Sequence, residues 1–389
     1  MHVLLLNYEF PPAGGGAGFA TYNIGRELVK AGIKVDVLTS SIEDEPDGAM
    51  FDGMRVFRVP SWRKGIHDCG MLGAYSYVGF ALKKRAWLLK HNNYDLEHFF
   101  FSLPTGILSL SPFKRRKQPY IVSLRGSDVP GYDLFNQKLE KIHKLLLPLT
   151  RSIWRNSSAV VALSNGLKKI AIETAPDQEI DIISNGIEID SFFPADTQKT
   201  HEGPTKLITV SRLLERKGIH HLLEAIAKPT PLPVTLTIAG TGSYEETLRS
   251  KCKELNLSHC VKFTGFIRRD QLPELYRQHD IFALPSQTES FGLVFAEAMS
   301  SGLPILGTFV GGIPELVRHE TDGILVNPAK PDEIRKALET MLSDPEKRLA
   351  MGQAARQRIE EKYSWKSITA QYLERYQKVI SENKHQITK

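Results

Sequence analysis

Short apolar runs alternate with longer amphipathic stretches along this chain, and that alternation predicts strands followed by helices. In the first half Val3 to Leu6 reads as a strand, about Phe19 to Ala31 as a helix and Val35 to Thr39 as the next strand. Further strands are predicted at about Leu96 to Phe101, Tyr120 to Leu124, Ala159 to Leu163 and Ile180 to Ile183. The second half repeats the scheme at Leu207 to Val210, Val234 to Ala239, Val261 to Phe263, Ile281 to Leu284, Ile305 to Leu306 and Ile324 to Val326. Strand and helix in turn mean parallel sheets covered on both faces, so the fold class is α/β with two doubly wound sheets. The joint falls around Ser191 to Pro204, which is polar and without periodicity. Domains are therefore expected at 1–195 and 196–364. A last helix, Trp365 to Ile380, gathers Trp365, Ile368, Tyr372, Tyr376 and Ile380 on one face, and the tail from Ser381 is expected to fray.

The length of 389 residues, 41% of them hydrophobic, is enough for two cores. Cys69, Cys252 and Cys260 have neither metal-ligand nor redox spacing, which points to core thiols in a reducing compartment. With no leader-like start and no apolar run of membrane-spanning length, the expected location is the cytoplasm.

The net charge of +6 is unevenly spread: residues 81–155 hold 14 Lys or Arg against 5 Asp or Glu. Within that segment lie Lys83 to Arg85, Lys114 to Lys117 and an amphipathic run from Leu139 to Trp154. The run sets Leu139, Ile142, Leu145, Leu146, Leu149 and Ile153 on one helical face, ringed by Lys138, Lys141, Lys144, Arg151 and Arg155. Two readings stand, an anionic membrane surface or a core-facing helix with a solvated basic side. Nucleic acid is disfavoured, because no recognition module or aromatic platform accompanies the cations.

Candidate chemistry concentrates at strand ends. Glu289 and Glu297 lie eight apart, the first on a loop after an apolar strand and the second inside the next helix. Ser290 and Gly292 leave the first turn of that helix open to an anion such as a diphosphate. One acid can then bind sugar hydroxyls and the other ribose hydroxyls. Arg212 and Lys217 follow the first strand of the second half and can converge on the same anion, Arg bidentately and Lys as a point charge; Arg216 is the lesser choice. Three consecutive glycines, Gly14 to Gly16, follow the first strand and let a backbone approach a ligand. They lack dinucleotide spacing, and no acid closes the second strand, which disfavours an NAD fold. Among the His, Asp, Glu and Cys residues there is no metal spacing and no nucleophile elbow.

The stretch from Glu289 to Glu297 resembles the E-x7-E motif of retaining nucleotide-sugar glycosyltransferases of family 4. Pro285-Ser286, the run at 302–304 and the run from Gly311 to Leu316 share the likeness, which spans nearly the whole chain. The resemblance implies a GT-B fold, two Rossmann-like domains facing across a cleft, with the helix from 365 crossing back onto the first. It assigns donor binding to Gly15, Gly16, Gly240, Ile267, Glu289, Ser290, Phe291, Gly292, Leu293, Val294 and Glu297. Catalysis falls to Glu289, to the R-x4-K pair Arg212 and Lys217 on the leaving diphosphate, and to Arg125. The loop from Thr264 to Ile267 reads the nucleobase through its backbone, leaving UDP and GDP unresolved. Arg125 stands where many members carry His; it cannot be a general base at neutral pH, though it can donate hydrogen bonds. Asp128 is expected to meet the acceptor. Asn185-Gly186 resembles the family's N-G-[IV] turn and also reads as a plain turn.

The implied activity is transfer, with retention, of a hexose from a nucleotide-diphosphate sugar to a hydroxyl of a glycan or lipid-linked acceptor in polysaccharide or glycolipid synthesis. No cofactor or metal is expected. The basic first-domain surface suggests peripheral contact with the inner face of the cytoplasmic membrane. The alternatives are a GT-B sugar-nucleotide epimerase and a non-catalytic sugar-nucleotide-binding subunit.

Overall fold

A computed structural model describes the chain except for residues 43–45, 67–68, 112–117, 196–202, 229–232 and 389. Two compact units emerge, Met1–Gly186 with Trp365–Lys389, and Ile187–Ser364. Residues 187–195, expected with the first domain, pack in the second unit. The Phe192 carbonyl there accepts hydrogen bonds from Ser300 Oγ and Arg356 Nη1, each at 2.6 Å, and the Phe192 ring is buried. The polar joint of the sequence runs later than the physical one because a polar stretch marks exposure, not the last packed side chain.

The first unit is built on strands β1 (His2–Leu6), β2 (Lys34–Ser40), β3 (Ala49–Phe51), β4 (Met54–Val59), β5 (Leu96–Phe100), β6 (Tyr120–Ser123), β7 (Ala159–Ala162) and β8 (Ile180–Ile182). Their order is β3-β4-β2-β1-β5-β6-β7-β8, parallel except for the edge strand β3. The β3–β4 hairpin turns on Asp52 and Gly53, both at positive φ, the two-residue turn that matches strand twist. Helices α1 (Gly16–Lys30), α2 (Gly70–His91), α3 (Gln137–Arg155) and α4 (Asn165–Thr174) cover the sheet.

The second unit carries β9 (Thr205–Val210), β10 (Val234–Ala239), β11 (Val261–Gly265), β12 (Ile281–Ala283), β13 (Ile305–Thr308) and β14 (Gly323–Val326) in the order β11-β10-β9-β12-β13-β14, all parallel. The order reverses direction at β9 and β12, so the loops leaving those two strands lie side by side; such a reversal is where doubly wound sheets hold ligands. Its helices are α5 (Ile219–Ile226), α6 (Glu245–Glu254), α7 (Leu272–Arg277), α8 (Leu293–Ser300), α9 (Ile313–Leu316), α10 (Pro331–Ser343) and α11 (Pro345–Lys362).

Helix α12 (Trp365–Thr388) returns to the first unit and buries Trp365, Ile368, Tyr372 and Tyr376 in one core with Val3, Leu5, Ile24 and Leu28. Gly186 is required there: a Cβ would stand 2.7 Å from Trp365 Cα. The helix runs past Ser381, because Glu382, Lys384 and Gln386 favour helix and nothing in the stretch breaks it.

In α3 the predicted stripe is only partly covered. Ile153 and Trp154 are buried, Leu139, Ile142, Leu146 and Leu149 are half-buried, and Leu145 is 78% exposed. The Lys114 to Lys117 cluster lies outside the described residues.

Candidate functional site

In the second unit the loops after β9 and β12 are joined by backbone and side chain. Gln287 N donates to Arg216 O at 2.8 Å, and Gly218, at φ +66°, passes so close that a Cβ would lie 2.1 Å from Pro285 O. Across that seam Lys217 Nζ donates to Glu289 Oε2 at 2.5 Å. Burial lowers the Lys217 pKa, the charges of Arg216 and Arg212 lower it further, and Glu289 works the other way. The Glu289 carboxylate thus offsets part of what burial and the neighbouring cations cost the Lys217 ammonium.

Arg212 sits on the same loop with its side chain exposed, whereas Arg216 is buried. The expected pair is therefore not a matched clamp in this structure: Lys217 is fixed to Glu289 and Arg212 reaches into solvent. Gly240, expected at the ligand, stands at φ +130° with a Cβ position 1.9 Å from Ser211 O, and its N–H donates to Gly265 O at 2.8 Å. Its lack of a side chain is explained by the close approach of the loops after β9 and β10.

Glu289 is braced from behind. Gly312 N donates to Glu289 O at 3.1 Å, and Gly311 lies so near that a Cβ would fall 1.7 Å from that oxygen. Gly292, at φ +90°, starts α8 with no side-chain cap. Phe295 N already donates to Gly292 O at 3.0 Å, which leaves the amides of Leu293 and Val294 as the first-turn donors with no acceptor inside the helix; both residues are half-buried, next to Glu289. Ser290 is half-exposed on the same turn. Phe291 departs from expectation, since its side chain is buried against Tyr363 at 5.8 Å.

Glu297 is not displayed. It is 2% exposed, with Oε1 accepting from Arg269 Nη1 at 2.6 Å and Oε2 from the Tyr276 hydroxyl at 3.1 Å. Its place in the second turn of α8 turns it inward, beneath the loop that carries half-buried Ile267. Sequence reasoning missed Arg269 and Tyr276; the available signal was a cation two residues beyond the suspected nucleobase loop.

In the first unit Gly15 and Gly16 are exposed at the uncapped start of α1, and a Cβ on Gly15 would meet nothing within 4 Å. Gly15 N donates to Glu9 Oε2 at 3.2 Å. Arg125 follows β6 and is buried, its Nη1 donating to Asn185 Oδ1 at 2.8 Å, with the guanidinium 4.6 Å over the Phe100 ring. Behind Phe100, His98 stacks at 4.1 Å and bonds the hydroxyls of Tyr376 and Ser123, each at 2.6 Å. Burial, with the nearby Arg125 charge, pushes the His98 pKa well down. Asp128, expected to face an acceptor, is 2% exposed. It takes the amides of Ser102, Arg125 and Gly126 at 2.6, 2.8 and 3.0 Å, and burial raises its pKa. It shapes the loop that holds Arg125.

Among the described residues no group of His, Cys, Asp or Glu could hold a metal ion, and no helix is long and apolar enough to cross a membrane.

Two Rossmann-like units, their sheets parallel but for the edge strand β3, make up the GT-B fold of glycosyltransferases. The sequence patterns of Glycosyltransferase Family 4 and of Glycosyl transferases group 1 match residues 14–191 and 194–358, and the chain belongs to family 4. It is 27% identical to the GDP-mannose-dependent alpha-(1-6)-phosphatidylinositol monomannoside mannosyltransferase of Mycobacterium tuberculosis, covering 95% of this chain and 96% of that one. Among solved structures, sucrose-phosphate synthase from Thermosynechococcus elongatus superposes with a TM-score of 0.85 at 22% identity, over 98% of this chain and all of the other. HepE of Anabaena, solved with UDP and glucose, superposes with a TM-score of 0.74 at 23% identity, over 97% of this chain and all of HepE.

Proposed function

We propose that the protein transfers a hexose from a nucleoside-diphosphate sugar, with retention at the anomeric carbon, to a hydroxyl of a glycan or lipid-linked acceptor. The observation that carries this reading is the buried Lys217–Glu289 contact beside the open first turn of α8. Lys217 and the amides of Leu293 and Val294 take the diphosphate, and exposed Arg212 folds down onto it as charge develops on the leaving group. Glu289 turns from Lys217 to the sugar hydroxyls. Glu297 takes the ribose hydroxyls once Arg269 releases it. Gly15 and Gly16 are assigned to donor contact through their open backbone. No metal is needed in this scheme, because lysine, arginine and helix amides supply the positive charge.

The relative named for GDP-mannose and the neighbour holding UDP and glucose support a nucleotide-sugar donor. The decisive experiment incubates the protein with a panel of UDP- and GDP-sugars and follows release of free nucleotide, with and without acceptor. Release that grows with acceptor and is lost in Glu289→Ala supports transfer; a new sugar nucleotide formed without acceptor would mean an epimerase. Donor binding with no turnover would mean a non-catalytic subunit. The anomeric configuration of the product tests retention.

Contact with an anionic bilayer is part of the same proposal. It is supported by Leu134, Phe135 and Leu145, exposed at 72%, 46% and 78%, on and just before the α3 turns that bear Lys138, Lys141 and Lys144.

A further inference from the structure

Arg125 carries an edge of its guanidinium that nothing among the described residues fills. The residue is 7% exposed, and Nε and Nη2 are both buried without a hydrogen-bond partner. Those two N–H groups point the same way and form the fork that grips both oxygens of a carboxylate or phosphate. The chain uses the same edge elsewhere for that purpose. Arg85 offers it to Glu97 at 2.7 and 2.6 Å, Arg55 to Asp36 at 3.1 and 2.6 Å, and Arg318 to Asp322 at 3.0 and 2.6 Å.

Each of those three has its own carboxylate; Arg125 does not. Asp128, three residues on, has its oxygens turned to backbone amides, and the neutral Asn185 amide holds Nη1 on the opposite side. The Phe100 ring beneath fixes the guanidinium plane. Among the described residues no carboxylate pairs with this guanidinium, so its positive charge is buried without a salt-bridge partner. A group so placed calls for an explanation in a bound species. Its position, in the loop leaving β6 at the carboxyl end of the sheet, is where parallel sheets present ligand-binding groups.

We propose that the Nε/Nη2 fork of Arg125 receives an oxyanion of the substrate, a carboxylate or a phosphate group. The inference rests on the transferase reading for the word substrate, but the fork itself is tested separately. The oxyanion has two possible sources, the diphosphate of the donor and an acidic group on the acceptor, and both present paired oxygens to the same edge.

The full-length protein and its Arg125→Lys variant, which keeps the charge and loses the fork, are titrated calorimetrically with UDP, GDP, inorganic phosphate and malonate. Phosphate and malonate are also titrated onto protein saturated with whichever nucleotide binds. A bidentate contact predicts a loss of about tenfold or more in the variant for at least one probe. Loss confined to phosphate and malonate, persisting with nucleotide bound, assigns the fork to an acceptor acid. Loss confined to UDP or GDP assigns it to the donor. Wild-type affinity for all four probes in the variant overturns the proposal. Failure of the wild type to bind either nucleotide would count against the transferase reading, while small-anion binding that depends on Arg125 would leave the fork standing. Arg125→His is read in parallel, with thermal melting of each variant, so that the result does not hang on the folding of one substitution.

Discussion

Glu289 and Lys217 answer to each other before they answer to any ligand. Their contact is largely shielded from water, so removing one partner leaves the other charge buried alone, a cost of about 3 kcal/mol or more. Glu289→Ala is therefore expected to lower the melting temperature as well as to lose transfer by about 100-fold or more. A variant that melts like the wild type and turns over normally would remove Glu289 from both roles. The sequence made these two residues legible because their spacing follows from a strand–loop–helix with few alternatives. It could not show that Arg212 points outward while Arg216 is buried, since both lie in one short loop and differ only in which side of the turn they occupy. Nor could it show Glu297 held by Arg269 and Tyr276, because that depends on a meeting of three elements. The turn role of Asp128 is hidden for a related reason: an acid beside glycine and serine serves a turn as readily as a ligand, and only the amide geometry separates the two.

At the scale of loops and helices the glycines divide into two kinds. Gly311 and Gly218 are small because another backbone passes through the space of their Cβ, whereas Gly15 faces open space. Gly311→Ala is thus expected to displace the Glu289 carbonyl and lower both melting temperature and turnover. Gly15→Ala, at φ −125°, is expected to melt like the wild type and yet lose about tenfold or more in kcat/KM if its backbone meets the donor. Melting curves set beside steady-state kinetics separate these cases; a fully active Gly15→Ala would take that turn out of the site. Helix α3 shows how far periodicity alone carries. Its apolar stripe is real, but the stripe cannot say which end the rest of the fold covers, and Leu145 is left outside. Leu145→Glu is expected to reduce co-sedimentation with anionic vesicles; unchanged sedimentation would return α3 to a purely structural role. The β3–β4 hairpin, absent from the predicted strands, had its sign in Asp52-Gly53, hidden because β3 is only three residues long and exposed on every one of them.

For the molecule as a whole, the alternation of strands and helices made both sheets legible, while their neighbour order came only from pairing distant in sequence. The last helix is tied to the first sheet by a buried hydroxyl–imidazole contact. Tyr376→Phe leaves His98 Nδ1 without its partner and is expected to cost about 1–3 kcal/mol. His98 is held neutral in the fold by a lowered pKa. Its contribution is therefore present above its unfolded value of about 6.5 and is lost as pH falls below it, at up to about 1.4 kcal/mol per pH unit. Chemical denaturation between pH 7.5 and 5 measures that slope, and a flat profile would contradict it. The second unit is a single uninterrupted insertion, entered at Ile187 and left at Ser364, where the two ends pair as neighbouring backbone. During synthesis it can therefore complete itself while the earlier segment still lacks Trp365, Tyr372 and Tyr376 from its interior. The half that is translated first is the half that must wait, and its apolar sheet needs shelter until the closing helix has left the ribosome.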